Sequence, residues 1–477
     1  MSHGSLNDCL SIARSGILAH QQRMAVISHN IANINTPGYH RQKTVLGTNP
    51  PEQSNVYSSI YYDIGTGVRV MDVVRAYNDA MERQYLNLNS SATANSLLSN
   101  TLAGIESMLN STVDGVSLTD YLAKFWAAWQ DVATNPTNTA MRTVLLEKAA
   151  TLTYAFNSMA TNLDNYTADL ITGSGSYTGM IQTTVDEINS LATRIQDLNV
   201  QITAAKARST STNDLCDQRN ELIRELSSKA GITIDADQTI RINNQMLVSG
   251  DGTMRNDLAI SSASPEVTFS LDAYAVTISG GELDGYVQAC NIITTLRSNL
   301  DTLANELITD INQWHQAGFD LNGDGGVDFF IGDGADDIQV SPALYNYSNP
   351  LLGHPELVAA AMTLDPGPPP IPNVGDGSNA LRIADLGNTN LFGLGERTCS
   401  EYFTDMTAAV GASKATAEDL ANNNQIALDA YANIIQETDG VNLDEELLDM
   451  MSAQRAFAAA SRVATTVDEM MQVLLNI

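Results

Sequence analysis

The sequence predicts a mainly α-helical protein with a small inserted β domain, organised as a discontinuous long-helix bundle with a terminal coiled coil. Three observations predict it. Both ends carry apolar stripes at heptad spacing, long helix-period segments fill most of the interior, and one interval after Gly231 switches to a period of two. At 477 residues with 43% hydrophobic content, the chain can bury two or three domains' worth of core.

At the N-terminal end, steps of four and three link Leu6, Leu10, Ala13, Ile17, His20, Met24, Ile27, Ile31 and Ile34. At the C-terminal end they link Leu443, Leu447, Met450, Ala453, Phe457, Ala460, Ala464, Val467, Met471 and Leu474. Each follows the narrow seam of a coiled coil rather than a broad globular face. A stripe at either end alone also fits an ordinary core helix, whereas two at opposite termini point to mutual pairing, which would tie down ends that otherwise fray. Asn442 is placed to cap the second helix, with Glu445 three residues on. Pro37 and Gly38 stop the first helix near Thr36. His20 sits on the seam, either as a register-setting polar residue or as a packed core histidine.

The interior follows in order. Asn49 to Asp63 is polar and aromatic-rich, and Gly65-Thr66-Gly67 is a turn before a short strand at Val68–Val70. A long helix is marked by Met81, Tyr85, Leu88, Ala92, Leu98, Leu102, Ile105 and Leu109. Further helices are expected over 118–134, 139–168 and 178–206, with a break at Asn135-Pro136 and a joint at Gly173–Ser176. That joint lacks the strand before it and the Gly-Lys-Ser/Thr after it that a phosphate loop requires. Strands are expected at 232–234, 239–242, 246–248, 267–271 and 275–278. Helix returns at about 287–316 and again at 400–436. A loop-rich stretch lies between, with Pro366–Pro372 its least structured part. The expected division is therefore residues 1–45 with 440–477 as a terminal helical coiled-coil domain. Residues 46–230 with 286–318 and 395–439 form a helical body, 231–285 the inserted β domain, and 319–394 the loop-rich segment.

The formal net charge of −31 comes from 24 Lys and Arg against 55 Asp and Glu. Such a chain repels nucleic-acid phosphates and anionic lipid heads, so neither nucleic acid nor membrane is expected as a partner. Cys9, Cys216, Cys290 and Cys399 are far apart, form no CxxC pair, and read as free thiols. The N-terminal stretch has helical spacing rather than the unbroken apolar core of a secretory signal, which on composition alone suggests a cytoplasmic protein. The six histidines fit no HExxH motif and no GxSxG elbow is present, so no catalytic residue or cofactor is expected. One loop resembles a calcium loop. Asp320, Asn322, Asp324 and Asp328 occupy ligand positions 1, 3, 5 and 9, with Gly325 at position 6. Ile331 stands where a bidentate Glu should close the shell, which favours a tight Asx-rich turn over a metal site.

One segment carries more. Ser28-His29-Asn30-Ile31-Ala32-Asn33-Ile34-Asn35-Thr36-Pro37-Gly38-Tyr39 resembles the N-terminal signature of the flagellar rod, hook and hook-associated axial proteins. Gly440 to Leu447, with the helix that follows through Asp468-Glu469-Met470, resembles their C-terminal end. Asn30, Asn33, Thr36, Pro37, Gly38 and Tyr39 are the motif positions. Asn213 to Leu222, Gly318 to Gly323, Thr134-Asn135-Pro136 and Gly65 to Val68 are similar to the hook-associated protein 1 branch. The resemblance implies a structural, non-enzymatic subunit at the joint of hook and filament. It also implies export as an unfolded chain through the flagellar type III channel, which replaces the cytoplasmic expectation with an extracellular one. The implied partners are further copies in a ring or tube, the hook protein, a second hook-associated junction protein, and an export chaperone at the C-terminal region. The implied assembly seam is Leu10, Ile17, Met24, Ile27 and Ile31 with Leu443, Leu447, Met450, Phe457, Val467, Met471 and Leu474. Two other readings stay open on sequence: a different axial subunit, and a calcium-stabilised surface adhesin. Ala and Met are frequent on both seams, so a lone pair is expected to be marginal, and ordering of the termini on assembly follows as an expectation.

Overall fold

A computed structural model describes residues 4–57, 60–110, 117–173, 178–262, 267–272, 274–365 and 371–475. The chain opens with α1 (Gly4–Ala32), then a strand β1 (Gln42–Thr48), a hairpin β2 (Glu52–Tyr57) and β3 (Ile60–Ile64), and β4 (Val68–Arg75), which pairs antiparallel with β1. The helices α2 (Asp79–Asn110), α3 (Leu118–Thr134), α4 (Thr139–Ile171), α5 (Met180–Ala207) and α6 (Asn213–Lys229) follow. Helix α3 starts where Ser117 and Asp120 form a reciprocal capping box, and α4 starts at Asn138, whose side chain accepts from Ala140 and Met141 N–H. Between them lies the expected Asn135-Pro136 break.

The inserted β region holds two three-stranded antiparallel sheets. The first is β5 (Thr233–Ile234), β6 (Ile240–Ile242) and β7 (Gln245–Val248); the second is β8 (Leu258–Ser262), β9 (Thr268–Leu271) and β10 (Tyr274–Val276). Asn243 and Asn244 both take positive φ in the β6–β7 turn, the type I′ geometry that suits a two-residue hairpin. Helix α7 (Gly281–Ala317) returns to the body. The loop-rich stretch carries short pairs β11 (Phe330–Ile331) with β12 (Gln339–Val340) and β13 (Leu364–Asp365) with β14 (Ile371–Pro372). It also holds a helix the sequence reading lacked, α8 (Ser378–Asp385). Two long helices end the chain, α9 (Cys399–Asp439) and α10 (Leu443–Leu475). The Gly-Ser joint and the proline-rich run fall largely outside the described residues, at 174–177 and 366–370.

One hydrophobic core joins α2 to α7, the β sheets, the loop-rich stretch and the first half of α9. It runs from Leu86 to Ala417 and, among the described residues, includes none from α1, β1 to β4 or α10. Within it, the rings of Phe125, Trp129, Phe329 and Phe330 pack on one another, and Trp129 and Phe329 meet the fully buried His315. His315 Nε2 accepts the Ala359 N–H at 2.9 Å while Nδ1 donates to Val327 O, so the ring is neutral and pins the loop-rich stretch to α7.

Helices α1 and α10 lie antiparallel, outside that core. A Cβ on Gly16 would stand 3.5 Å from Ala460 Cβ, Arg23 pairs with Asp449 at 3.0 Å, and Asn30 reaches Glu446 at 3.0 Å. Paired residue numbers sum to about 476 along the contact, so the two stripes match over nearly the full length of α1 (about 44 Å at 1.5 Å per residue). A third layer braces the pair: α1 also packs on the β1–β4 ribbon, where Ser15 Oγ accepts the Val68 N–H at 3.1 Å. Gly67 makes that approach possible. Its φ is +104°, and a Cβ there would fall 2.1 Å from Ser15 Oγ.

Candidate assembly interface

The motif after α1 forms a buried polar knot that ties the two terminal helices to each other and to the body. Helix α1 ends at Ala32, and Asn33 N–H bonds back to His29 O at 3.1 Å. The chain then turns through Thr36-Pro37-Gly38-Tyr39, closed by Tyr39 N–H to Thr36 O at 3.2 Å, with Gly38 at φ +71°. Proline sets the first central dihedral of this turn and glycine supplies the left-handed second. The turn sends the following segment back past the end of α1.

Asn30, one residue turn earlier, is only 1% exposed and uses all its polar capacity. Its Oδ1 accepts Tyr39 O–H at 2.8 Å and Gln42 N–H at 3.0 Å. Its Nδ2 donates to Gln42 O at 2.9 Å and Glu446 Oε2 at 3.0 Å. Glu446 is buried, and its other oxygen faces Arg41 Nε at 3.2 Å. Arg41 also reaches Glu445, and its backbone N–H donates to Asp439 O at 2.9 Å. The Asp439 carboxylate in turn accepts Asn78 N–H at 3.1 Å, at the start of α2.

On the other side, buried Asp217 of α6 collects three donors. These are His40 N–H at 3.2 Å, His40 Nδ1 at 2.8 Å and Arg75 Nη1 at 2.7 Å. The Arg75 guanidinium lies over the Tyr77 ring at 4.2 Å. Gln42 bonds Asp214 and Asn213 at 2.8 and 3.2 Å. Burial raises the Tyr39 hydroxyl, and the carboxylates of Asp214, Asp217 and Glu446 raise it further, so it stays a neutral donor to Asn30. Burial likewise pushes Tyr77 up to about 12. Each buried carboxylate here is held by internal donors, as buried charges must be.

The predicted seam residues divide. Leu10, Ile17, Met24, Ile31, Met450, Phe457 and Met471 are half-buried along the α1–α10 contact, and Ile27 and Val467 are fully buried there. Ala13 and Ala453 complete the inner row. Leu443, Leu447 and Leu474 are instead 44%, 47% and 59% exposed. The reason at the head of α10 is that Glu446 takes the inner place to meet Asn30 and Arg41, which rotates Leu447 outward. Asn442 does cap α10, accepting from Asp444 N–H at 3.0 Å. At the far tip, Leu6, Met470, Val473 and Leu474 border an open apolar hollow of about 470 Å³. His20 is half-buried on the seam with its Nδ1 unpartnered among the described residues, and burial lowers its pKa. Of the motif residues, Thr36 and Pro37 are exposed on the turn and Asn33 is half-buried.

Among the described residues, no group of three or more His, Cys, Asp or Glu is placed to hold a metal. In the Asp320 loop the carboxylate accepts Asn322 N–H at 2.7 Å and Asp324 N–H at 3.0 Å, an Asx turn, while Asp328 accepts from Gln316. In the sequence Asp217 stands out only as part of a motif, and Arg75, Asp439 and Glu446 carry no local sign of a site role. The available signal was an acid at the head of α10 facing an asparagine at the end of α1.

Comparison with known proteins gives three family matches along the chain. Residues 10–40 match the flagella basal body rod protein family, and residues 435–477 match the C-terminal family of the flagellar basal body rod FlgEFG proteins. Residues 102–330 match the flagellar hook-associated protein FlgK helical domain. The chain is 25% identical to a flagellar hook-associated protein 1 of Bacillus subtilis, over 98% of this chain and 97% of that one. It is 27% identical to the Escherichia coli protein of the same name over 68% of this chain and 60% of that one. The fold is similar to that of the flagellar hook junction protein FlgK from Burkholderia pseudomallei, with a TM-score of 0.60 and 15% identity, covering 74% of this chain and 99% of that chain.

Proposed function

We propose that the chain is a flagellar hook-associated protein 1, a structural component of the junction between hook and filament, and that its α1–α10 pair is the module through which copies assemble. The observation that carries this is the knot around Asn30. It locks two helices from opposite ends of the chain into one unit outside the main core, oriented rigidly by Asp217 and Asp439. Residues 1–45 with 440–477 then act as the assembling domain and the remaining helices as a body that it carries.

The finer roles follow from the same surface. The exposed apolar residues of α10, among them Leu447, Leu448, Met451 and Val473, suit an export chaperone that covers helical faces before assembly. All four cysteines are free, so no covalent cross-link opposes passage as an unfolded chain through the type III channel to the cell exterior. The partners in place are other copies, the hook protein and a second junction protein. The role is mechanical, with no reaction to catalyse.

The test is to open the seam without touching the body. Ala453→Asp places a carboxylate at a position that is 0% exposed between α1 and α10. In cells lacking the wild-type chain, the variant should reach the medium and leave hooks without filaments. Normal filaments on hooks carrying this variant would refute the role of the pair. For the chaperone, Leu447→Asp with Leu448→Asp should reduce capture in a pull-down, and undiminished capture would remove that surface from the proposal.

A further inference from the structure

Helix α10 carries a second stripe, on the side away from α1. Asp444, Leu448, Met451, Arg455 and Arg462 recur at steps of three, four and seven on the helical face opposite the seam, and Glu469 and Val473 continue that line at the tip, where they also border the hollow shared with Leu6. Leu448, Met451 and Val473 are 63%, 46% and 60% exposed. The stripe is therefore acidic and apolar toward both ends and doubly basic at its waist.

Bases are scarce in this chain. Acids outnumber bases 55 to 24, and Arg23, Arg41, Arg75, Arg224, Arg241 and Arg297 are all in ion pairs. Among the described residues, the side chains of exposed Arg455 and Arg462, and those of Asp444 and Glu469, have no hydrogen-bond or ion-pair partner. The charge is also partitioned. Residues 1–48, 68–75 and 440–477 together hold eight Lys and Arg and eight Asp and Glu, so the net −31 resides elsewhere in the chain. Two terminal modules can therefore approach without net repulsion, whereas two bodies cannot.

We propose that this outer stripe of α10 docks on a second copy of the chain, with Arg455 and Arg462 meeting the acidic ends, Asp444 and Glu469, of the neighbour's terminal module. Such a contact is heterologous, since the waist of one copy meets an end of the next, and heterologous contacts propagate into rings or tubes. The apolar residues that flank the charges supply buried area, and the charge pattern sets the stagger between copies. This rests on the reading that the α1–α10 pair is the assembling module, and adds which face is used and what it recognises.

The experiment is complementation with charge reversal, in cells lacking the wild-type chain. Arg455→Glu with Arg462→Glu should be exported, fold with wild-type helicity and leave hooks bare. Asp444→Arg with Glu469→Arg should do the same. Co-expressed, the two variants should restore filaments on at least a tenth of hooks, because each supplies the charge the other lacks. Filaments with either variant alone would overturn the proposal. Bare hooks on co-expression would overturn it as well, since the arginines would then meet something other than these acids. Ala453→Asp run alongside separates the two claims: filaments with reversed stripe charges but bare hooks with Ala453→Asp would leave the pair as the assembling module and remove its outer stripe.

Discussion

Replacing Asn30 with Ala should detach the two terminal helices from each other while leaving the body folded. The substitution removes four hydrogen bonds in a site that is 1% exposed. It orphans Gln42 N–H and Tyr39 O–H, and deprives buried Glu446 of one of the two side chains that hold it. Unpaired buried polar groups cost roughly 1–3 kcal/mol each, so the total is about 3–5 kcal/mol. The apolar contribution against which this is set is small. On α1 and α10 the fully buried side chains are Ala13, Ala19, Ile27, Ala453 and Val467, and only Ile27 and Val467 bring roughly 1.5–3 kcal/mol each. The loss is thus comparable to what the fully buried apolar side chains of the pair supply. None of it falls on the core between Leu86 and Ala417. Hydrogen exchange followed by mass spectrometry reads this directly. Amides of α1 and α10 should lose protection by about a hundredfold or more, with α3 and α4 unchanged. Unchanged exchange in α1, or equal loss in α3 and α4, would refute the reasoning that the knot holds a separable module.

Gly38→Ala forces a Cβ into φ +71° and within 2.7 Å of Glu221 Oε2, and should destabilise the module by about 1–2 kcal/mol in the same exchange assay. Gly65→Ala, with nothing within 4 Å of its new Cβ, should change it by less than about 0.5 kcal/mol. Burial lowers His315 to about 4. A histidine depressed in the folded state contributes stability above its unfolded pKa near 6.5 that is lost as pH falls toward 4, so pH 5 should cost about 2 kcal/mol relative to pH 7. Denaturant midpoints at the two pH values check this, and His315→Gln should flatten the slope.

Much of the architecture is legible as periodicity. Seams of small and apolar residues mark α1 and α10, and the turn chemistry of Asn135-Pro136 and Gly65-Thr66-Gly67 marks real breaks. What escaped has physical causes. Strand β1 is interrupted by a bulge at Val45 and Leu46, which destroys simple alternation. Helix α6 buries Asp217, Arg219 and Asn220 along with its apolar residues, so its inner face reads as surface. The head of α10 breaks the heptad because a charge at Glu446, satisfied only by residues four hundred positions away, outranks a leucine. Pairing across such a separation is visible only once the fold brings the partners together. The pair also gains a third layer from the β1–β4 ribbon, which adds contact to a coil rich in alanine and methionine.

Oxidative cross-linking in assembled flagella tests the terminal pairing most directly. Gly16→Cys with Ala460→Cys, in a Cys9→Ser background, places two thiols on Cβ atoms 3.5 Å apart, within the ~3.5–4.5 Å span a disulfide bridges. Oxidant added to isolated hook–filament junctions should convert the subunit to an internally looped monomer of altered mobility. A ladder of cross-linked oligomers, or no bond at all, would contradict the pairing of the two ends within one chain.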